Sequence, residues 1–350
     1  MPGDRYEGDD PEGALTRDEF VSLLEDYAAR HALPVERGTV TEVAADGDRY
    51  LVRTADRTMS TPCVVVASGS LNRPRRPAMW QRISPAVHQV DASDYRSAAS
   101  LDAGAVLVVG SAQSGGQIAK DLADAGRSVF LATGQTGRLP WGYRGRNLAL
   151  WLIETGRLDQ RREEFALPSG EIPGRPLQGA LETISLQSLS AQGVVLLGRM
   201  TGADGKLLSF SDDVASNIRF GDEASAAVRR RIDDYIAQNG ISAPPPGDDP
   251  AEAVRPIIPM PAITSLDLAA SNVSTIIWCT GFDGDFSWLR VSGALGADQM
   301  PVHVDGVGAA PGLYFPGLDF ASTRKSGTIL AVAEESRTIA EHIARRLGQS

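Results

Sequence analysis

The sequence of 350 residues has few of the residues that build metal centres and redox-active cysteine pairs. Its two cysteines, Cys63 and Cys279, stand far apart without a C-x-x-C pattern. This excludes a dithiol redox centre, and a zinc site built from cysteine alone. Each cysteine adjoins an apolar run, so both are predicted to be small buried strand residues. The four histidines stand singly, with no H-x-x-x-H or H-E-x-x-H pattern, and we expect no metal ligands.

Long apolar runs and excess positive charge are also missing. No run approaches the ~18 residues of a membrane span, and the acidic, turn-rich start is unlike a signal peptide. The net charge of −10 and the pI near 5.0 argue against nucleic acid or an anionic membrane as the partner. Only three of the 34 basic residues are lysines. The arginine excess either serves phosphate and carboxylate binding or reflects genome composition. We expect a cytoplasmic protein.

The remaining composition is that of an ordinary globular protein, with 42% apolar and 22% charged residues. At roughly 150 residues per domain, the length predicts about two domains. A capping box at Thr16 and Glu19 predicts a first helix with one apolar stripe. Apolar periodicity and a following Gly348 predict a last helix over about residues 327–347. Between them, strand-like and helix-like segments alternate, which favours an α/β fold.

The clearest local pattern is a strand–turn–helix–strand unit at residues 105–132. Ala105–Val109 predicts a buried strand, residues 116–125 a helix and residues 128–132 a second strand. The turn between the first strand and the helix carries Gly110-x-Ala112-x-x-Gly115, close to the G-x-G-x-x-G pattern that holds a dinucleotide pyrophosphate at a helix N-terminus. We therefore predict dinucleotide binding by the six residues of this turn, namely Gly110, Ser111, Ala112, Gln113, Ser114 and Gly115.

The end of the second strand indicates which nicotinamide cofactor is bound. An acidic residue there would bind the adenosine 2′-hydroxyl of NAD, but the sequence has Thr133-Gly134-Gln135. Arg138, Arg144 and Arg146 follow, and guanidinium groups pair well with a phosphate. This favours NADP(H), with the three arginines as partners of the 2′-phosphate. The alternative is that they belong to a solvated loop.

Four stretches in the right order resemble the flavin-containing monooxygenases and their bacterial flavoprotein relatives. Residues 64–69, with Ala67 and Gly69, resemble the family's A-T-G crossing between its FAD and NADPH domains. Residues 106–115 resemble its NADPH fingerprint, and residues 276–282, with Gly281, resemble the W-A-T-G-Y return crossing. Residues 313–317 and 323–327 resemble the closing FAD segment before the last helix.

The resemblance implies an α/β fold with two dinucleotide-binding, Rossmann-like domains. Residues 1–76 and 283–350 would form a discontinuous FAD-binding domain, and residues 77–282 an NADPH-binding domain inserted between its parts. The family's first strand, G-x-G-x-x-G turn and helix, which grip the FAD pyrophosphate, have no counterpart before residue 64. The FAD domain is thus expected to be incomplete at its N-terminus, either because Met1 is internal to a longer product or because the protein is truncated.

The implied activity is an NADPH- and FAD-dependent oxidoreductase, and more narrowly a monooxygenase. Such enzymes use dioxygen through a flavin C4a-hydroperoxide to oxygenate a nitrogen, sulfur or carbonyl group of a small molecule. The cofactors carry this chemistry, so no catalytic side chain is predicted. The resemblance places Gly317, Ser326 and Gly327 near the flavin or its ribityl chain. Arg324 and Lys325 either meet a cofactor phosphate or cap a surface loop, and Asp319 either holds a ribityl hydroxyl or is an ordinary turn acid.

A non-enzymatic reading stays open beside this one. A truncated homologue could bind NADP(H) without flavin chemistry, as a binding module or an inactive remnant. A disulfide reductase of the related two-dinucleotide fold is disfavoured because the paired redox cysteines are missing. The sequence leaves the substrate undefined, since residues 135–255 give only generic helices and loops. It also leaves open whether the protein forms a homo-oligomer.

Overall fold

The computed structural model describes Gly13, residues 15–168 and residues 172–348. The chain divides into two compact units. The first unit comprises Met1–Arg73, Gly156–Ile172 and Phe282–Ser350, and the second comprises Pro74–Thr155 and Pro173–Gly281. The sequence-based borders at residues 76 and 282 lie close to two of these borders.

One segment belongs to a different unit from the one that the sequence predicted. The stretch Gly156–Ile172, expected in the central domain, belongs to the first unit. Backbone hydrogen bonds hold it there: the Arg162 amide donates to the Ser322 carbonyl (2.9 Å), and the Lys325 amide donates to the Leu158 carbonyl (3.1 Å). The sequence gives no sign of this excursion, because such pairing depends on residues more than 150 positions away.

The secondary structure comprises eight α-helices and twenty short strands within the described ranges. The helices are α1 (Arg17–Arg30), α2 (Gln113–Asp124), α3 (Leu148–Glu154), α4 (Arg162–Phe165), α5 (Leu186–Ala191), α6 (Val214–Asn239), α7 (Pro250–Ala253) and α8 (Ile329–Arg346). The strands are β1 (Val40–Asp46), β2 (Arg49–Thr54), β3 (Thr58–Thr61), β4 (Val64–Val65), β5 (Arg73–Pro74), β6 (His88–Asp91), β7 (Ala105–Val109), β8 (Val129–Ala132), β9 (Gly142–Tyr143), β10 (Arg146–Asn147), β11 (Val195–Leu197), β12 (Met200–Asp204), β13 (Leu207–Phe210), β14 (Ser265–Asp267), β15 (Val273–Trp278), β16 (Phe282–Asp283), β17 (Leu289–Arg290), β18 (His303–Val304), β19 (Val307–Gly308) and β20 (Leu313–Tyr314).

The second unit is built around a five-stranded parallel sheet in the order β11-β8-β7-β15-β6. Every residue of β7 is buried, because parallel strands in α/β folds are covered on both faces. One apolar cluster includes Ile118 and Leu122 of α2, and a second, on the other face, includes Leu208 and Trp278. The βαβ unit predicted from residues 105–132 is therefore present. This arrangement is the Rossmann-like α/β fold expected from the sequence.

The first unit contains two four-stranded sheets. Their orders are β17-β1-β2-β3 and β18-β19-β20-β4, and β4 pairs with β20 in parallel. Its apolar core includes Val43, Phe286 and Phe315. The last helix, α8, follows the loop that contains the predicted FAD segment, close to the bounds expected for it.

Helix α1 has the predicted capping box but not the predicted packing. The Thr16 side chain accepts from the Glu19 amide, and the Glu19 carboxylate accepts from the Thr16 amide. The apolar stripe is present on the helix, but no residue of α1 is buried, and Leu23 and Leu24 are exposed. Local sequence therefore forms this helix without tertiary burial. None of the described helices is long and apolar enough to cross a membrane.

Candidate functional site

The turn between β7 and α2 depends on two glycines that approach neighbouring backbone. Gly110 has φ +106°, and a Cβ there would lie 2.4 Å from the Cys279 carbonyl oxygen. A Cβ on Gly115 would lie 1.8 Å from the Gly110 carbonyl oxygen. Both contacts exclude a side chain, so these glycines allow the helix to start directly against the strand.

The first turn of α2 is left without a side-chain cap. Ala112 is the N-cap residue and makes no capping hydrogen bond, and the helix begins at Gln113 rather than at residue 116 as expected. Gln113, Ser114 and Gly115 are therefore its first three residues, whose N–H groups have no acceptor four residues earlier within the helix. Such N–H groups and the helix dipole favour an anion. The geometry thus suits the pyrophosphate of a dinucleotide.

Ser111 and Cys279 have structural roles beside this turn. Ser111 is buried, and its Oγ accepts a hydrogen bond from the Gly134 amide at 3.2 Å, which ties the end of β8 to the turn. Cys279 is buried as predicted, whereas Cys63 is only half-buried. Burial, with a smaller effect of the Asp91 charge, raises the pKa of the Cys279 thiol to about 12. The thiol therefore stays protonated at neutral pH and is no nucleophile.

The structure places all three predicted phosphate-binding arginines in ion pairs within their own unit. Arg138 is buried, and its guanidinium contacts Asp222 Oδ1 (2.8 Å) and Glu252 Oε1 (3.1 Å). Arg144 Nε donates to Asp233 Oδ1 at 2.6 Å. Arg146 pairs with Glu154 and lies over the Trp151 ring, 5.0 Å from its centroid.

These ion pairs correct the sequence-based interpretation. An arginine that already has a carboxylate partner adds little net positive charge for a phosphate, and a buried one such as Arg138 is withheld from ligands altogether. For Arg138, the sequence offered two alternatives, a phosphate partner or a residue of a solvated loop. Neither describes a buried arginine that is paired with two carboxylates. The partners come from α3, α6 and α7, which no local pattern connects to this loop.

A polar network that the sequence reading missed lies at the carboxyl edge of β8 and β11. Thr133 Oγ1 donates to the Leu197 carbonyl (2.8 Å) and accepts from Asn217 Nδ2 (3.0 Å). Asn217 Nδ2 also reaches Asp213 Oδ1 at 3.2 Å, and the same oxygen accepts from the Arg199 amide at 2.9 Å. Arg199 lies two residues after Leu197, the end of the strand-like segment that the sequence predicted, and this position is a signal that could have been used.

The two predicted crossing glycines have left-handed backbone conformations. Gly69, two residues after Ala67, has φ +68°, and a Cβ there would lie 3.7 Å from the Gly317 carbonyl oxygen within the first unit. Gly281, in the second unit, has φ +95°, and its carbonyl accepts from the Arg75 amide at 2.9 Å. Gly69 is thus brought near the predicted FAD segment.

The predicted FAD segment before α8 is a tightly bonded loop. Ser326 is buried, and its Oγ accepts from the amides of Ser322 (3.2 Å) and Thr323 (3.1 Å). Gly327 has φ +80° and packs against Asp319, whose own amide donates to Ser70 Oγ at 3.0 Å. The Ser326 hydroxyl therefore stabilises the loop, and its expected place near the flavin stays a prediction.

The two basic residues of this loop are held by neighbours in the same unit. Lys325 Nζ lies 2.6 Å from both Asp159 Oδ1 and Glu334 Oε2, and these acceptors raise the pKa of the lysine. Arg324 Nε donates to Gln160 Oε1 at 2.8 Å, and its guanidinium lies over the Phe165 ring, 4.1 Å from the centroid. Of the two roles considered, these contacts favour fixing the loop over binding a phosphate.

Two features leave the loop open to a ligand. Gly317 has φ +73° with open space where its side chain would be. The N-cap residue of α8, Thr328, makes no side-chain capping bond. Glu335, which the sequence did not suggest, holds the turn from α8: its Oε2 accepts from the Gly317 amide at 2.8 Å. An uncapped helix N-terminus beside such a turn favours negative charge.

A comparison with protein families matches residues 8–152 to a model described as pyridine nucleotide-disulphide oxidoreductase. Among curated proteins, the chain is 27% identical to a CzcO-like oxidoreductase, described as uncharacterized, from Geobacillus kaustophilus. That alignment covers 98% of this chain and 82% of the relative. The similarity therefore extends through both units.

Two solved structures share the fold. A flavin-containing monooxygenase from Stenotrophomonas maltophilia is 16% identical with a TM-score of 0.55, over 94% of this chain and 77% of that one. A bacillithiol disulfide reductase from Bacillus cereus is 14% identical with a TM-score of 0.54, over 97% of this chain and 82% of that one. At such identity the likeness is one of fold, and it agrees with the two dinucleotide-binding units expected from the sequence.

Proposed function

We propose that this chain, which is similar in sequence to a CzcO-like oxidoreductase and in fold to a flavin-containing monooxygenase, is an NADPH- and FAD-dependent monooxygenase. Its substrate would be a small molecule with an oxidisable nitrogen, sulfur or carbonyl group. One dioxygen and one NADPH would be consumed for each oxygen atom transferred, and the second oxygen atom would leave as water. The uncapped glycine turn between β7 and α2 carries this proposal.

In the second unit, the glycine turn would hold the pyrophosphate of NADPH. Its backbone supplies N–H donors, and the contacts at Gly110 and Gly115 fix the distance between strand and helix. The chain's contribution there is binding and orientation. The Cys279 thiol, protonated and buried beside the turn, would not react with the nicotinamide.

In the first unit, the Gly317 turn and the start of α8 suit a flavin. A bound flavin would accept hydride from NADPH and pass oxygen from dioxygen to the substrate. The uncapped N-terminus of α8 would stabilise negative charge on the reduced ring. Glu335 would hold the turn in place, since it accepts from the Gly317 amide.

The fit of the first unit to FAD is partial. The described residues of this unit contain no strand–glycine turn–helix of the kind found at residues 105–124. They therefore offer a site for the ring and ribityl portion but no pyrophosphate cradle. A second candidate function is a protein that binds NADP(H) without flavin chemistry, since the uncapped turn before α2 suits a dinucleotide by itself.

The visible absorption of the purified 350-residue protein separates the two functions. For the monooxygenase, we expect a flavin spectrum, as purified or after adding FAD, that NADPH bleaches without air and that returns with dioxygen. Labelled dioxygen should then appear in an amine, thioether or ketone product. A colourless protein that binds NADPH but takes up no FAD would overturn the flavin assignment and support the second candidate.

A further inference from the structure

The cation that recognises the 2′-phosphate of NADP(H) is left unassigned by the ion pairs of Arg138, Arg144 and Arg146. We propose that Arg199, after β11, has this role. The inference rests on the proposed binding of NADP(H) at the Gly110–Gly115 turn. It names the residue that would distinguish NADP(H) from NAD(H).

The sheet order brings Arg199 to the required edge. Leu197 pairs with Ala132, and Ala132 pairs with Val109, in two parallel ladders. The carboxyl ends of β7, β8 and β11 therefore form one row. With strands about 4.8 Å apart, Leu197 lies about 10 Å across the sheet from Val109. A dinucleotide whose pyrophosphate lies after β7 places its adenosine ribose at the end of β8, beside the residues that follow Leu197.

The backbone at Arg199 is fixed while its side chain is exposed. Its amide donates to Asp213 Oδ1 (2.9 Å), and its carbonyl accepts from the Ser211 amide (2.9 Å). A Cβ on the preceding Gly198 would lie 1.8 Å from the Ser211 carbonyl oxygen, so the two segments are in direct backbone contact. Within the described part of the chain, the Arg199 guanidinium makes no ion pair, unlike the three arginines after β8. A fixed backbone with an unneutralised guanidinium suits a phosphate dianion.

Two carboxylates, those of Asp213 and the exposed Asp212, follow Ser211 at this edge. Asp213 Oδ1 already accepts from the Arg199 amide and from Asn217 Nδ2. These donors stabilise the carboxylate and direct that oxygen towards the protein. Thr133, Gly134 and Gln135 at the end of β8 add no further charge. Arg199 therefore brings an exposed guanidinium without a carboxylate partner, within the described residues, to the edge where the 2′-phosphate would lie.

Binding measurements on the full chain test this assignment. The probes are NADP⁺ and NAD⁺, together with 2′,5′-ADP and 5′-ADP, titrated calorimetrically against wild type, Arg199→Gln and Arg199→Lys. Arg219→Gln is the matched control, because Arg219 is an exposed arginine of α6 in the same unit. Loss of one charge-assisted contact is expected to weaken NADP⁺ and 2′,5′-ADP about 10- to 100-fold in Arg199→Gln. The affinities for NAD⁺ and 5′-ADP should stay within about twofold, and Arg199→Lys should recover part of the loss.

Three results would overturn the assignment. Arg199→Gln could bind NADP⁺ like wild type and the Arg219→Gln control, or it could lose NADP⁺ and NAD⁺ equally. Either result refutes the role of Arg199 while dinucleotide binding at the glycine turn stands. If wild type binds neither NADP⁺ nor NAD⁺, the proposed function itself fails together with this inference.

Discussion

The contact between Gly115 and Gly110 gives the sharpest test of the dinucleotide site. In Gly115→Ala, the new methyl group would lie 1.8 Å from the Gly110 carbonyl oxygen, 2.8 Å from its carbonyl carbon and 3.3 Å from Cys279 Cβ. The first two neighbours are backbone atoms, so relief requires α2 to move away from β7. Overpacking of this kind costs about 1–3 kcal/mol. For a unit of this size, that corresponds to a fall in Tm of about 3–10 °C.

The matched control is Gly134→Ala, at the end of β8, where the Gly134 amide donates to Ser111 of the same turn. Gly134 has no neighbour within 4 Å of a built Cβ and no left-handed backbone, so its Tm should change by less than about 1 °C. We would measure Tm by circular dichroism and NADP⁺ affinity by calorimetry for both variants. Gly115→Ala should also weaken NADP⁺ binding, because the helix N-terminus moves away from the phosphate. Unchanged Tm and affinity in Gly115→Ala would refute the close contact and the role given to the turn.

Two further predictions concern buried charge and the buried thiol. Glu252→Ala should lower the free energy of unfolding by about 3 kcal/mol in urea titrations, because it removes the carboxylate that Arg138 and Arg229 share. The control Glu223→Ala, at an exposed position of α6, should change the free energy of unfolding little. Equal effects of the two substitutions would contradict the stabilising role of the shared ion pair. Cys279 should resist alkylation by iodoacetamide at pH 8 in the folded protein and should react after unfolding. The reason is that, with a pKa of about 12, only about one Cys279 thiol in 10,000 is ionised at this pH. Because its folded pKa lies above the unfolded value of 9.0, the contribution of Cys279 to stability should be lost as the pH rises from about 9 towards 12. Rapid alkylation of Cys279 itself in the folded protein, read by peptide mass spectrometry and compared with the half-buried Cys63, would contradict this burial.

The βαβ unit at residues 105–132 was predictable because its signals are local. An apolar strand, a glycine turn and an amphipathic helix follow one another without interruption, and the strand and helix both formed. The start of α2 was placed three residues too late, since Gln113 and Ser114 read as turn residues in isolation. In the structure, the close approach of Gly110 and Gly115 allows α2 to begin at Gln113, inside the glycine turn.

The roles of the charged residues were not predictable in the same way. Arg138, Lys325 and Ser326 each sit in a segment that resembles a cofactor-binding stretch, yet each is engaged within its own unit. Their partners are supplied by distant segments, such as Glu252 for Arg138 and Asp159 for Lys325. Sequence spacing does not reveal which carboxylate will neutralise an arginine.

The sequence by itself determined the α/β class, the glycine turn and the family resemblance, because these depend on residues adjacent along the chain. Tertiary structure alone decided which cations have carboxylate partners, and it grouped Gly156–Ile172 with the first unit. It also brought the end of β11 beside the end of β8, which makes Arg199 the candidate phosphate partner. The physical reason is that periodicity and turn chemistry act over a few residues, whereas ion pairing and strand order depend on which distant segments fold together.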